Sequence, residues 1–205
     1  MRRITATLVT DGSSDKLLIP LIKLLFSEYA DVPYQVNFAE GLPPIAEGLQ
    51  PRIESALAFF PCDFLFVHRD EEGVGITVRQ QEIESSWPEN QQTAVLICVI
   101  PVRMTEAWLI ASSKPIRLAV GNPNGTDALN LPLSKDIESS LSPKEILFTA
   151  LKTASGLNAR RRARFNPHQF RHRVSDLIDD LAPLRLLSSF NHLEAQVKKH
   201  VDLLA

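Results

Sequence analysis

With 205 residues, 44% of them hydrophobic, and a net charge of −2, the chain has enough apolar content for one packed domain and an appendage. No apolar stretch approaches the roughly 18 residues of a helical membrane span. Zinc-type Cys/His spacing is absent, and so is the Gly-x-x-x-x-Gly-Lys-Ser/Thr loop that would cradle ATP phosphates.

Ile4 to Thr10 is short and rich in β-branched residues, which predicts a strand. Asp11-Gly12-Ser13-Ser14 ends it in a turn. Leu17 to Phe26 is dense enough in apolar residues for a helix covering one face of a sheet. Ser13 or Ser14 suits its N-cap, and Asp15 falls in the first turn, where the macrodipole favours it. Pro20 either kinks this helix or restarts it. Pro33 to Phe38 is a weaker strand, and Pro51 to Phe60 a helix with proline in its first turn. Asp63 to His68 reads as a strand buried on both faces. It is followed by a glycine-marked loop, Arg69 to Gly75, and a helix from Ile76 to Ser86. Thr93 to Pro101 is another apolar strand, after which Thr105 to Ile110 starts a helix.

Residues from about 112 to 142 are rich in Pro, Asn, Gly and Ser and read as loop. Ser142-Pro143-Lys144-Glu145 has the form of a capping box opening a helix. A helix from Asn166-Pro167 to about Leu181 and another from Phe190 to Leu204 complete the chain. Strand–helix alternation repeated about four times predicts an α/β fold with a mostly parallel sheet. The expected division is an α/β domain over residues 1–112 and a loop-rich, helical region over 113–205 packed on it. Met1-Arg2-Arg3-Ile4 runs straight into an apolar run and lacks a signal-peptide core. With Cys62 and Cys98 read as reduced core thiols, a cytoplasmic protein is expected.

Two acidic turns thus follow two strands. Along an extended chain Asp70 and Glu72 point one way and Glu71 the other. In parallel sheets ligands bind beyond the carboxyl ends of the strands, where strand order reverses. If the first and third strands are neighbours, Asp11, Asp70 and Glu72 meet there, as a hard divalent cation requires. Two such ions could flank the attacking and leaving oxygens of an in-line displacement. Asp15 is either a further ligand or a helix-start residue. Glu106 is a ligand, a general base or a first-turn glutamate. His68 assists proton transfer or is a satisfied strand histidine. Lys16 contacts a phosphate or solvent, and Trp108 fills core or interface.

Charge is unevenly spread: residues 151–205 hold 10 Lys/Arg against 5 Asp/Glu, leaving 12 against 19 in residues 1–150. Arg160, Arg161, Arg162, Arg164, Arg171 and Arg173 lie in one stretch without an acid. That stretch suits nucleic-acid phosphates, with Phe165 and Phe170 placed for base stacking. An acidic protein partner or plain solvation are the other readings.

Asp11-Gly12-Ser13-Ser14-Asp15 resembles the first Toprim motif, Glu-Gly-x-x-Asp, and His68-Arg69-Asp70-Glu71-Glu72-Gly73 resembles the second, Asp-x-Asp. Thr105-Glu106-Ala107-Trp108-Leu109-Ile110-Ala111 is similar to the Glu-x-Trp-Leu-Leu-Ala segment of small Toprim-like proteins of bacterial defence loci, cousins of the overcoming-lysogenization-defect nucleases. The resemblance spans nearly the whole chain. It implies a Toprim-like fold and a Mg²⁺- or Mn²⁺-dependent nuclease cutting DNA or RNA in anti-phage or anti-plasmid defence, with an ABC-type ATPase partner and a homodimer or hetero-complex. Asp11, Asp15, Asp70 and Glu72 take the motif positions. Asp11 stands where the family has Glu, and Glu72 where it has Asp. These departures leave open the alternative of a catalytically inactive scaffold or regulatory subunit.

Overall fold

The computed structural model describes residues 3–91 and 93–202. Four parallel strands, β1 (Ile4–Val9), β2 (Tyr34–Phe38), β3 (Phe64–His68) and β4 (Val95–Val99), form one sheet in the order β2-β1-β3-β4. β1 and β3 pair in register from Ala6 opposite Phe64 to Val9 opposite Val67. The fold is α/β, with an all-parallel sheet flanked by helices.

Successive strand residues face opposite ways, and the sheet has a core on each side. Ile4, Ala6, Leu8, Phe64, Phe66, Ile97 and Val99 pack with helix α1 (Leu18–Tyr29) and the C-terminal helices. Val9, Leu65, Val67, Cys98 and Ile100 pack with α2 (Leu49–Phe59) and α3 (Ile76–Ser85). Phe26 anchors α1, with its ring 5.5 to 5.8 Å from those of Tyr34, Phe64 and Phe66. Both cysteines are free. Among the described residues no helix is long and apolar enough to cross a membrane.

A 3-10 turn, Ser13–Leu17, precedes α1 and is entered from Gly12 without a side-chain cap. The α-helix proper starts at Leu18, so Pro20 lies in its first turn, where a missing N–H is harmless. Ser142 and Pro143 do open a helix, but the Ser142 side chain makes no capping bond.

The stretch expected as loop carries two short helices. After α4 (Glu106–Leu109) come α5 (Ser113–Ala119) and α6 (Ser134–Ile137), then α7 (Pro143–Ala154) and α8 (Ala159–Arg162). The helix expected from Asn166 to Leu181 is a 3-10 turn, Pro167–Phe170, and a short α9 (Arg171–Asp176). It stops at Asp176, and the chain turns again where Asp180 accepts from the Ala182 N–H, just before Pro183. The last helix, α10 (Ser188–Asp202), starts two residues before Phe190. Its expected end at Leu204 lies outside the described residues, as do Met1 and Arg2.

Three fastenings hold α10 in place. Gln196 accepts from the Cys98 N–H at 2.9 Å and donates to the Cys98 carbonyl at 3.0 Å, sealing the outer edge of β4 like a strand residue. Arg185 joins Glu28 of α1 to Glu194 of α10. At the helix start, Glu138 accepts from the backbone N–H and hydroxyl of both Ser188 and Ser189.

Burial alone would raise the Glu138 carboxyl, but the donors of Ser189 and Ser188 outweigh it and hold it below the ordinary glutamate value. A depressed folded-state value gives stability that is present above the unfolded value and is lost as pH falls through the folded one. Glu138→Gln is therefore expected to cost about 1–2 kcal/mol at neutral pH. The deficit should shrink in acid, read as Tm of variant and wild type by circular dichroism from neutral pH to below the ordinary glutamate range.

Candidate functional site

The crossover leaving β1 runs to β2 and that leaving β3 runs to β4, so the strand order reverses between them. In open parallel sheets the crevice that binds ligands lies at such a point, beyond the carboxyl ends of the two strands. The alternation of side chains sorts the residues around it onto two faces.

On the α1 face stand His68 and Asp70. Asp70 Oδ1 accepts from the Thr105 N–H at 2.9 Å and the Thr105 hydroxyl at 3.2 Å, and lies 3.2 Å from His68 Nε2. Thr105 Oγ1 is also 3.0 Å from His68 Nε2. Among the described residues no donor meets Asp70 Oδ2, and the side chain keeps 29% exposure. Thr105 lies just past β4, so the ends of β3 and β4 converge on one carboxylate. Burial works against the His68 imidazolium, yet the hydrogen bond and charge of Asp70, with Asp15 and Asp11 behind them, raise its pKa above the ordinary value.

Asp15, carried by the 3-10 turn, joins this cluster. Burial raises its carboxyl, the charge of Asp70 adds to this, and His68 and Arg171 oppose it. Arg171 pairs with Glu106 at 3.2 Å, and both are nearly buried. It also donates to the Ser14 carbonyl at 3.4 Å, and Ser175 of the same helix donates to the Leu17 carbonyl. Helix α9 thus clamps the turn that bears Asp15.

The other face is a chain of ion pairs. Arg69 Nη1 meets both carboxylate oxygens of Asp11, at 3.0 and 2.9 Å, and the Arg69 guanidinium reaches Glu82 at 3.3 Å. Arg79 meets Glu82 at 2.7 Å and Glu72 at 2.6 Å, and donates to the Asp70 carbonyl at 2.9 Å. The expectation that Asp70 and Glu72 point the same way fails here, because it requires an extended chain. Glu72 has φ 52°, and Gly73 and Gly75 also have positive φ, so the backbone turns and carries Glu72 to Arg79. Asp11, Asp70 and Glu72 therefore surround one crevice without sharing a face. Among the described residues no group of three or more His, Cys, Asp or Glu side chains is placed to hold a metal ion.

Glu71 holds the loop. It accepts from the N–H groups of Gly73 (2.8 Å), Gly75 (2.6 Å) and Arg103 (3.1 Å). Burial pushes its carboxyl up, but these donors prevail and keep it below the ordinary value. Trp108 is core, with its indole N–H on Ser189 Oγ at 2.9 Å.

Arg160, Arg161, Arg162 and Arg164 are exposed and, except for Arg162, line an open depression of about 370 Å³ with Asn158. Arg173 is exposed as well. Arg171 departs from this group through its pair with Glu106. Lys16 is paired with Glu40 and lies over the Phe38 ring. Phe165 and Phe170 stack on each other, with centroids 4.8 Å apart, and pack on the core. One face of each ring is thus taken by the other, and both rings are half-buried.

No family model, curated protein or solved structure matches this chain.

The sequence reading overlooked Arg69, Arg79, Glu82 and Thr105. The i, i+3 spacing of Arg79 and Glu82 was a visible signal, whereas nothing local marks Thr105 as a partner of Asp70. Glu71→Gln keeps the shape of the side chain but turns an amide N–H₂ toward backbone N–H donors. It is expected to destabilise by about 2–3 kcal/mol, nearly as much as Glu71→Ala, in urea unfolding followed by circular dichroism. A Gln variant as stable as wild type would contradict this role.

Proposed function

We propose that this chain is a divalent-metal-dependent phosphodiesterase acting on DNA or RNA at the crevice between β1 and β3. The observation that carries this reading is Asp70, held through Oδ1 by Thr105 and His68, with Oδ2 left without a donor among the described residues and Asp15 close by. A Mg²⁺ ion takes one or two carboxylates and fills its octahedron with water and substrate phosphate. Asp70 and Asp15 fit that requirement and would hold the ion. Asp11 and Glu72 would first have to leave Arg69 and Arg79. When bound, such an ion polarises a phosphoryl oxygen and lowers the pKa of a coordinated water.

The residues around Asp70 orient it. His68 and Thr105 restrict the carboxylate to one rotamer, as outer partners of metal ligands commonly do. Arg171 offsets the negative charge of Glu106 and Asp15. The exposed Arg160, Arg161, Arg162 and Arg164 neutralise backbone phosphates and carry no sequence preference. The defence setting and the ABC-type ATPase partner follow from the motif resemblance alone.

The pairs Asp11–Arg69 and Glu72–Arg79 favour a second reading, a scaffold or regulatory subunit in which guanidinium groups stand where cations would.

Plasmid DNA and total RNA incubated with Mg²⁺, Mn²⁺ or EDTA separate the two. Metal-dependent products are expected from wild type and a loss of roughly 100-fold or more from Asp70→Asn, with Tm nearly unchanged. No cleavage by folded wild type, together with no Mg²⁺-induced rise in Tm, would favour the scaffold. Replacing the four exposed arginines with Gln should lower nucleic-acid affinity without changing Tm. It should also flatten the dependence of log K on log salt by up to about 3–4.

A further inference from the structure

Arg52 projects from α2 toward the tips of β1 and β2 and is only 8% exposed. Its guanidinium donates to the Thr10 carbonyl at 2.5 Å and to the Pro43 carbonyl. Both acceptors are neutral. Among the described residues no carboxylate stands within ion-pair distance of it, and its buried Nε has no partner. A guanidinium offers five N–H donors, and two are used. A largely buried cation without a counter-ion is costly.

The side chain lines a depression of about 370 Å³ beside Asp11, a size suited to a small ligand. Gly12, Ser13 and Gly41 form part of its rim, and Phe38, Ala39 and Leu42 are apolar members of its wall. The two acids that line it are already neutralised, Asp11 by Arg69 and Glu40 by Lys16. That leaves Arg52 as the uncompensated charge. Burial pulls the Arg52 pKa down while the charge of Asp11 opposes this, and the group stays protonated at neutral pH.

We infer that the depression between the tips of β1 and β2 is a phosphate pocket built on Arg52, which takes the phosphomonoester of a nucleotide against the apolar wall of Phe38 and Leu42. The nucleotide is either free or the phosphorylated end of a strand. Both sources present one dianionic phosphate to a planar fork of donors, which suits arginine. The inference does not depend on whether the neighbouring crevice cleaves.

The test is isothermal titration of the full chain in EDTA, where no metal-dependent cleavage can occur. The probes are inorganic phosphate, adenosine 5′-monophosphate, adenosine, and short oligonucleotides with 5′-phosphate or 5′-hydroxyl ends. Adenosine 5′-monophosphate or the 5′-phosphorylated strand is expected to bind at least 10-fold more tightly than its dephosphorylated counterpart. Whichever of the two binds identifies the source. Arg52→Gln should lose that preference and Arg52→Lys should keep part of it. Because Arg52 also braces two carbonyls, Ser13→Glu provides a second variant, which leaves the brace intact and sets a negative charge on the rim. It too should weaken the phosphorylated ligand 10-fold or more. Equal affinity for phosphorylated and dephosphorylated probes, or wild-type affinity in both Arg52→Gln and Ser13→Glu, overturns the pocket. Cleavage without phosphate-dependent binding would remove this inference alone, and binding without cleavage would remove only the nuclease reading.

Discussion

The direct pairing of β1 with β3 governs the rest of the structure. Their crossovers depart in opposite directions, which makes the space above their carboxyl ends the switch point of the sheet. Into that space the chain delivers residues from the β1 turn, the β3 loop and the segment after β4. A right-handed crossover rule and a side-chain period of two suffice to place them. A one-residue slip of β3 against β1 would exchange the two faces. His68 and Asp70 would then face α2 and α3, and Arg69 would point into the aromatic core around Phe26. The buried sequence Phe64-Leu65-Phe66-Val67 tolerates either face; the polar residues that follow do not.

Charges around the crevice are arranged by how much water each retains. On the α2 and α3 face, Asp11 and Glu72 keep substantial exposure and pair with arginines. Such pairs contribute little to stability because water screens them, so they can be exchanged at small cost. On the α1 face, His68 and Glu106 are nearly dry. There an unpaired charge would be expensive, and each has a partner that also fixes its position. Chemistry that needs a fixed carboxylate belongs on the dry face, and an exchangeable counter-ion on the wet one.

Much of this was legible in the sequence. Apolar runs closed by turn residues marked the four strands to within two residues at each end, and with them the parallel sheet and, once the first and third strands pair, the approach of Asp11 and Asp70. Glu72 was misplaced because the period-two argument assumes extended backbone, and Glu71-Glu72-Gly73 is a turn stabilised by the Glu71 carboxylate. On the same argument the Glu71 carboxylate points outward, whereas it builds the loop. The helix over residues 113–119 was obscured by the loop-forming residues that follow it. The Arg171–Glu106 pair could not be foreseen, since it joins positions 65 residues apart through tertiary packing alone.

Arg171 shows how the C-terminal region serves the site. It lies in the arginine stretch, yet His172 and Arg173 after it are exposed while it reaches Glu106 and the backbone of Ser14. The same helix holds Leu17 through Ser175, and α10 is tied to α1 through Arg185 and to the β4 edge through Gln196. The turn carrying Asp15 is therefore clamped by α9, and α9 packs on helices that α10 fastens to the sheet. Asp70 is fixed by the strand ends, whereas Asp15 is fixed by the C-terminal helices. Of the exposed arginines Arg160, Arg161 and Arg162 belong to α8, whereas Arg173 lies on α9. From there the shortest route into the crevice is the Arg171 guanidinium, which sits between Glu106, Ser14 and the charge of Asp15. The basic segment and the turn bearing Asp15 thus meet at the Arg171 side chain.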